Sequence, residues 1–176
     1  MLSIPLRPAH TALLCTLSLV IALGGLPFVG IAHAQEAVVA ATDKEALFTS
    51  PDPQLHANKQ IVYRIMRELL EANHWDKADE LLTERYLQHN PNVVSGRQAV
   101  VTFFTQILKK EKTPLPTKIA SPVVFVTAEG DLVTVGSVRT EKDPQNPDKT
   151  YTTTWYDTWR IVDGKADEHW DSATKM

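Results

Sequence analysis

Cysteine is almost absent from this chain of 176 residues: Cys15 stands alone. It lies inside an N-terminal apolar run with no small-residue lipoprotein context behind it, so acylation is not expected. A chain with one cysteine cannot close an internal disulfide, and its fold must be held by a core. No Gly-x-Ser-x-Gly elbow occurs, which argues against a serine nucleophile. His74, His89 and His169 have acids nearby, but no pair has the close spacing of a zinc or iron motif. His56 and His74 read more simply as helix-surface residues, and no metal is expected. Internal repeats are lacking, as is any low-complexity tract beyond the leader and any second transmembrane run.

Charge of a useful sign is lacking too. Arg7 is the only charged residue among the first 34, so removing that stretch leaves 17 of the 18 basic side chains against 21 acidic ones, a net of −4. That balance is too small and of the wrong sign for nucleic acid or anionic lipid.

Arg7 precedes a long apolar run from Thr11 to Ile31, interrupted by Gly24, Gly25, Pro27 and Gly30 and ending at Ala32-His33-Ala34. The order reads as a secretory signal peptide over 1–34, cleaved before Gln35, and places the product in the periplasm or outside the cell, with no membrane attachment after cleavage. An uncleaved anchor is the other reading, since the run approaches the roughly 20 residues needed to span a bilayer. Residues 35–52 read as a loose leader, with Thr42-x-x-Glu45 as a possible cap for one helical turn. The folded domain is expected over 53–176.

Ile61, Ile65 and Leu69, with Val62, Met66 and Leu70 beside them, recur at helical spacing and predict an amphipathic helix ending near Asn73-His74. A second helix is expected from Asp76, where acids crowd the first turn, to Tyr86. Pro91 forbids continuation, so 88–92 is a turn. Ser95 and Gln98 form a capping-box pattern for a third helix burying Val100, Val101, Phe104 and Ile107, and Pro114 and Pro116 stop it. The rest reads as strand. Glu129-Gly130-Asp131 and Asp163-Gly164 mark hairpins in a four-stranded antiparallel meander, which makes an α+β domain with the sheet curling over three helices.

Two polar clusters sit at the borders of apolar segments: Tyr86-Leu87-Gln88-His89-Asn90-Pro91 with a following Gly96, and Trp159 to Lys165 running into Glu168-His169-Trp170-Asp171. With the order of elements, these motifs resemble the SnoaL-like polyketide cyclases, and more narrowly the predicted SnoaL-like aldol-condensation enzymes of the nuclear transport factor two-like superfamily. The resemblance covers roughly residues 54–171. It implies a cone-shaped α+β barrel whose open end holds a mostly apolar ligand, with acid/base groups on its wall and no metal or organic cofactor. It also implies a homodimer through the outer sheet face, where Thr152, Thr154 and Tyr156 alternate. The fold also carries isomerases, dehydratases, epoxide hydrolases and plain binding proteins, so it does not fix a reaction.

The residues themselves offer candidates. His89 titrates in a useful range, and Asn90 and Tyr86 are donors for a developing oxyanion. His89-Asn90-Pro91 equally suits a turn in which His89 caps the second helix. Trp155, Asp157 and Trp159 share one strand face, and the tryptophans argue that it points inward. There Asp157 would be a desolvated base; at a wet edge, or paired with Arg139, it would not. In the last strand His169 and Asp171 share one face, Glu168 and Trp170 the other. If Trp170 is core, the histidine and aspartate point out; a bulge reverses this. The catalytic candidates are therefore His89, Asp157, Asp171 and His169, and the substrate-binding candidates Tyr86, Asn90, Trp155, Trp159 and Trp170. They suit an exported protein doing cofactor-free acid/base chemistry on a small apolar or carbonyl-containing molecule. The alternative is a noncatalytic ligand-binding or dimerisation module on the same fold.

Overall fold

The computed structural model describes residues 36–175. A short helix α1 (Lys44–Leu47) is followed by α2 (Pro53–Arg64), which continues without a break as a π-helix over Ile65–Glu71. A single 3-10 turn (Trp75–Lys77) leads into α3 (Ala78–Leu81), then strand β1 (Leu82–Gln88) and helix α4 (Arg97–Thr102), itself extended as a π-helix over Phe103–Ile107. Four strands complete the chain: β2 (Val123–Glu129), β3 (Leu132–Lys142), β4 (Thr150–Val162) and β5 (Lys165–Asp171). Among the described residues, no helix is long and apolar enough to cross a membrane.

The α+β class expected from the sequence is the one observed, with a different sheet. It has five strands in the order β1-β5-β4-β3-β2, and β1 runs parallel to β5. The meander of β2 to β5 follows the expected hairpins, but the second helix ends at Leu81 and not at Tyr86. The reason is tertiary: without β1, the backbone of β5 would present an unpaired edge, and such an edge recruits whatever extended segment lies beside it. Leu82 leaves the helix with ψ 141 and pairs with Ala166.

Other local readings are corrected in the same way. The cap of α1 is Asp43, whose side chain accepts from the Ala46 amide, and not Thr42. Ser95 does not cap α4, because its hydroxyl accepts from the Gln88 amide instead. Gly96 stands at the helix start with φ +106, a conformation that side chains rarely tolerate, and from there its amide reaches the Tyr86 carbonyl at 3.0 Å. Ile107, expected in the core, is 66% exposed.

The segment expected as a loose leader is packed where it is described. Phe48 is buried in the core against the edge of the Tyr63 ring, the Ala41 amide bonds the Val123 carbonyl, and the Val38 amide bonds the Thr152 hydroxyl. The expected signal peptide lies outside the described residues.

The core runs between the helices and the inner face of the sheet: Val62, Ile65, Leu69, Trp75, Leu81, Leu82, Val133, Val135, Trp159 and Ile161 are all buried. On the outer face, Gly136 lets the ring of Phe125 lie across the strand; a β-carbon there would stand 2.5 Å from that ring.

Candidate active site

Two β-bulges decide which side chains meet inside the cone. Between β4 and β5, Arg160 pairs with Glu168 but Ile161 pairs with Ala166, so Asp167 is an extra residue in β5. Ala166 packs inward opposite Ile161; after the bulge, Glu168 points out and His169 points in. Between β1 and β5, Leu82 pairs with Ala166 and Leu87 with Glu168, so β1 carries the matching irregularity. Its residues Thr83 and Arg85 hold the bulged Asp167, the hydroxyl of Thr83 at 2.8 Å and the guanidinium of Arg85 as an ion pair. The Arg85 guanidinium beside it holds the Asp167 carboxyl below its usual range, although burial pushes the other way.

The result is a cavity of about 630 Å³, within the usual range for small-molecule sites. Leu69, Trp75, Val100, Phe103 and Phe104 wall it on the helical side, with Trp75 and Phe104 stacked at 4.1 Å. The sheet supplies the polar groups. Trp159 and His169 stand opposite each other across β4 and β5, and Asp157 and Asp171 form the next inward-facing pair.

These groups form a connected network. His169, 8% exposed, brings Nε2 to 3.2 Å from Asp157 Oδ1 and Nδ1 to 3.0 Å from Gln88 Oε1. Its ring lies 5.0 Å from that of Trp159, whose indole nitrogen donates to the Tyr86 hydroxyl at 3.0 Å. Asp171 accepts from the Asn90 side-chain amide at 2.6 Å and from the backbone amide of Ala173 at 2.9 Å. Tyr86 is fully buried, and this burial pushes its phenol well up, so it stays protonated and able to donate.

Asp157, His169 and Asp171 are also the one group of this kind among the described residues whose donor atoms lie within 4.8 Å of one another. That spacing would admit a cation as well as a proton. His169 is oriented from its Nδ1 side by Gln88, and Asp171 by Asn90 and the Ala173 amide, so the chain's own groups hold the cluster in place.

Of the nine side chains singled out from the sequence, Asp157, Asp171, His169, Tyr86, Asn90, Trp155 and Trp159 line the cavity. His89 and Trp170 do not. His89 sits on the outer face, its ring stacked on that of Trp170 at 5.0 Å and its Nε2 2.8 Å from Glu168 Oε1. Arg160 joins this external cluster from β4 through Glu168 and Asp131. His89, countered by burial but joined by Arg160, holds the Glu168 carboxyl below its ordinary range. The cause is strand alternation: Gln88 and Asn90 turn inward, so His89 between them turns out.

One further placement differs from the expected one: Tyr86 lies deep in the cone, not at its mouth. Asn90 is engaged at both ends of its amide, giving one N–H to Asp171 and accepting from the Asn92 backbone at 2.9 Å, which leaves its second N–H as the donor it could offer a ligand. Gln88 was not singled out as a site residue, although its sequence signal was present in the same motif, two residues after Tyr86. Arg139, weighed as a partner for Asp157, instead lies over the Trp155 ring at 4.4 Å and pairs with Glu141.

A candidate SnoaL-like polyketide cyclase from Jannaschia sp. CCS1 superimposes with a TM-score of 0.48 at 19% identity, over 70% of this chain and 91% of that one. An NTF2-like protein from Burkholderia pseudomallei gives 0.46 at 15% identity, over 65% and 88%. An LEH-like epoxide hydrolase from M. tuberculosis gives 0.47 at 12% identity, over 65% and 80%. No curated protein sequence matches. Residues 62–169, more than half of the chain, match the model of the SnoaL-like domain, and the chain belongs to that family.

Proposed function

We propose that this protein binds a small apolar molecule bearing a carbonyl group and moves a proton on it, in chemistry of the aldol, isomerase or dehydratase type. The observation that carries the reading is the 3.2 Å contact between His169 Nε2 and Asp157 Oδ1 on the wall of a largely apolar cavity. Abstraction of a proton next to a carbonyl needs a base at the carbon and a donor at the oxygen, where charge develops. The Asp157–His169 pair supplies the base. The Tyr86 hydroxyl accepts from Trp159 and so keeps its own hydrogen for the enolate oxygen. Trp155 and the phenylalanines of the helical wall offer apolar surface for the body of the ligand. All of this can be done by the chain's own groups.

The test is solvent-deuterium exchange followed by proton NMR across a panel of apolar ketones and aldehydes, with and without chelator. The expected result is catalysed exchange at the carbon next to the carbonyl, unaffected by chelator. Saturable binding with no exchange would put the noncatalytic binding module in its place. Exchange that chelator abolishes would overturn the cofactor-free reading.

The sequence supports export to the periplasm or medium, through the order of Arg7, apolar run and Ala-x-Ala. A homodimer is supported by the outer sheet face, where Phe125 and Tyr156 remain exposed side by side, 6.1 Å between ring centroids. Thr152 is partly withdrawn from that face by Val38. Native mass spectrometry of protein collected outside the cytoplasmic membrane is expected to give twice the mass of a chain starting at Gln35. A chain retaining Met1 removes the export reading, and a single-chain mass at micromolar concentration removes the dimer.

A further inference from the structure

The tract that carries Gln88, His89 and Asn90 grips β5 from both faces at once. Gln88 pairs with His169 in the parallel ladder, and the His89 amide donates to the His169 carbonyl at 2.9 Å. Gln88 then returns to the same residue with its side chain, Oε1 to Nδ1 at 3.0 Å. The Gln88 amide is anchored on the Ser95 hydroxyl at 3.0 Å, which fixes the backbone from which this side chain reaches.

A carboxamide oxygen can only accept, so the hydrogen of this bond belongs to His169 Nδ1. A neutral imidazole carries one N–H. With that hydrogen committed to Gln88, Nε2 of neutral His169 is a bare lone pair facing Asp157 Oδ1, and two acceptors at 3.2 Å do not form a hydrogen bond. The contact closes only when one further proton lies between them, on the ring or on the carboxyl group. We infer that Gln88 is a positioning residue: it fixes His169 as the Nδ1–H form, so that His169 Nε2 and Asp157 Oδ1 share a single transferable proton facing the cavity.

Had Gln88 been apolar, neutral His169 would be free to place its hydrogen on Nε2 and donate it to an ionised Asp157. The hydrogen bond would then be satisfied with no proton to spare. Gln88 thus decides whether the pair can act both as acid and as base. Asn90 plays a parallel part for Asp171: its amide, held by the Asn92 backbone, donates to Asp171 Oδ2 and keeps that carboxylate an acceptor.

The significance of this inference rests on the acid/base reading above, but its test needs no ligand. Nitrogen-15 NMR of the imidazoles, with His169 identified by the signals lost in His169→Phe, distinguishes the two neutral forms directly. The expected wild-type result for the neutral ring is hydrogen on Nδ1. Gln88→Leu is expected to move it to Nε2, and Gln88→Glu, which keeps an acceptor in place, to return it to Nδ1. On any ligand that shows deuterium exchange, Gln88→Leu should lower kcat by roughly 10- to 100-fold with KM little changed, the scale seen when the partner orienting a metal-bound histidine is lost.

An Nε2–H wild-type ring overturns the inference by itself, even if the leucine variant fails to fold. So does an Nδ1–H ring that persists in Gln88→Leu. Absence of deuterium exchange with every ligand, alongside the expected nitrogen signals, would remove the proposed activity and leave the positioning role standing.

Discussion

Asp157→Asn is expected to slow solvent-deuterium exchange by about 10²–10⁴-fold, the usual range for a positioned acid/base group. The amide keeps the size of the carboxylate and a hydrogen-bonding link to His169, so binding should persist while kcat falls. Thermal stability should hold or rise slightly, because polar groups gathered in an apolar site commonly cost stability. His89→Ala is the matching control. Its ring lies outside the cone on Trp170 and Glu168, so the variant should lose only the small contribution of a partly exposed pair, about 0–1 kcal/mol, and leave the exchange rate nearly unchanged. Equal loss in both variants would place the effect in the strand pairing and not in the chemistry.

Glu68→Gln is expected to be the more damaging change to the fold. The Glu68 side chain is almost wholly buried on the π-helical end of α2, where it receives Arg64 at 2.9 Å and Lys77 at 3.1 Å, with Arg67 beside it. The Glu68 carboxylate thus ties the π-helical end of α2 to the 3-10 turn through Lys77, and Arg64 carries the cluster on to α3 through the Glu80 carboxylate at 2.7 Å. Burial alone would push this carboxyl up, yet Arg64 and Lys77 outweigh it and bring it from 4.5 down to about 2. Removing the charge leaves Arg67 and Lys77 without this anion and Arg64 with Glu80 alone; because these cations reach solvent, the expected loss is at or below the lower end of the about 3–5 kcal/mol for deleting one member of a buried ion pair.

The pH dependence has a definite sign. A carboxyl whose folded value is depressed contributes fully above its unfolded value, here near 4.5, and loses that contribution as pH falls toward 2. Denaturant unfolding at pH 7 and at steps below 4.5 should therefore show wild type losing stability steeply with acid. Glu68→Gln should start lower and show a shallower acid slope. Parallel slopes would mean that Glu68 is not the group responsible.

Much of the site was legible in the sequence because its signals were local. The tryptophans at 155 and 159 identified the inward face of β4, and Asp157 between them does line the cavity. Helical spacing from Ile61 to Leu70 and the turn residues at Gly130 and Gly164 placed α2 and the hairpins to within a few residues. The placement of His89 in the cavity failed for a related reason: the sequence reads 88–92 as a turn after a helix, whereas this tract prolongs β1, with the His89 amide still bonded to the His169 carbonyl. On a strand, its neighbours Gln88 and Asn90 take the inner positions and His89 takes the outer one.

The amino-acid sequence by itself determined the α+β class, the apolar helical wall, the hairpin meander and the family motifs, since periodicity, turn residues and short motifs act over a few neighbouring positions. Only the tertiary structure decided that 82–88 is a strand, because that choice depends on the open edge of β5. Only the tertiary structure decided which face of β5 enters the cone. The inward set, His169 and Asp171, and the outward set, Glu168 and Trp170, are separated by one extra residue, Asp167. The partners that hold this bulge, Thr83 and Arg85, lie more than eighty positions earlier in the chain. Strand parity is a local rule, and a bulge pinned by distant side chains is the physical event that resets it.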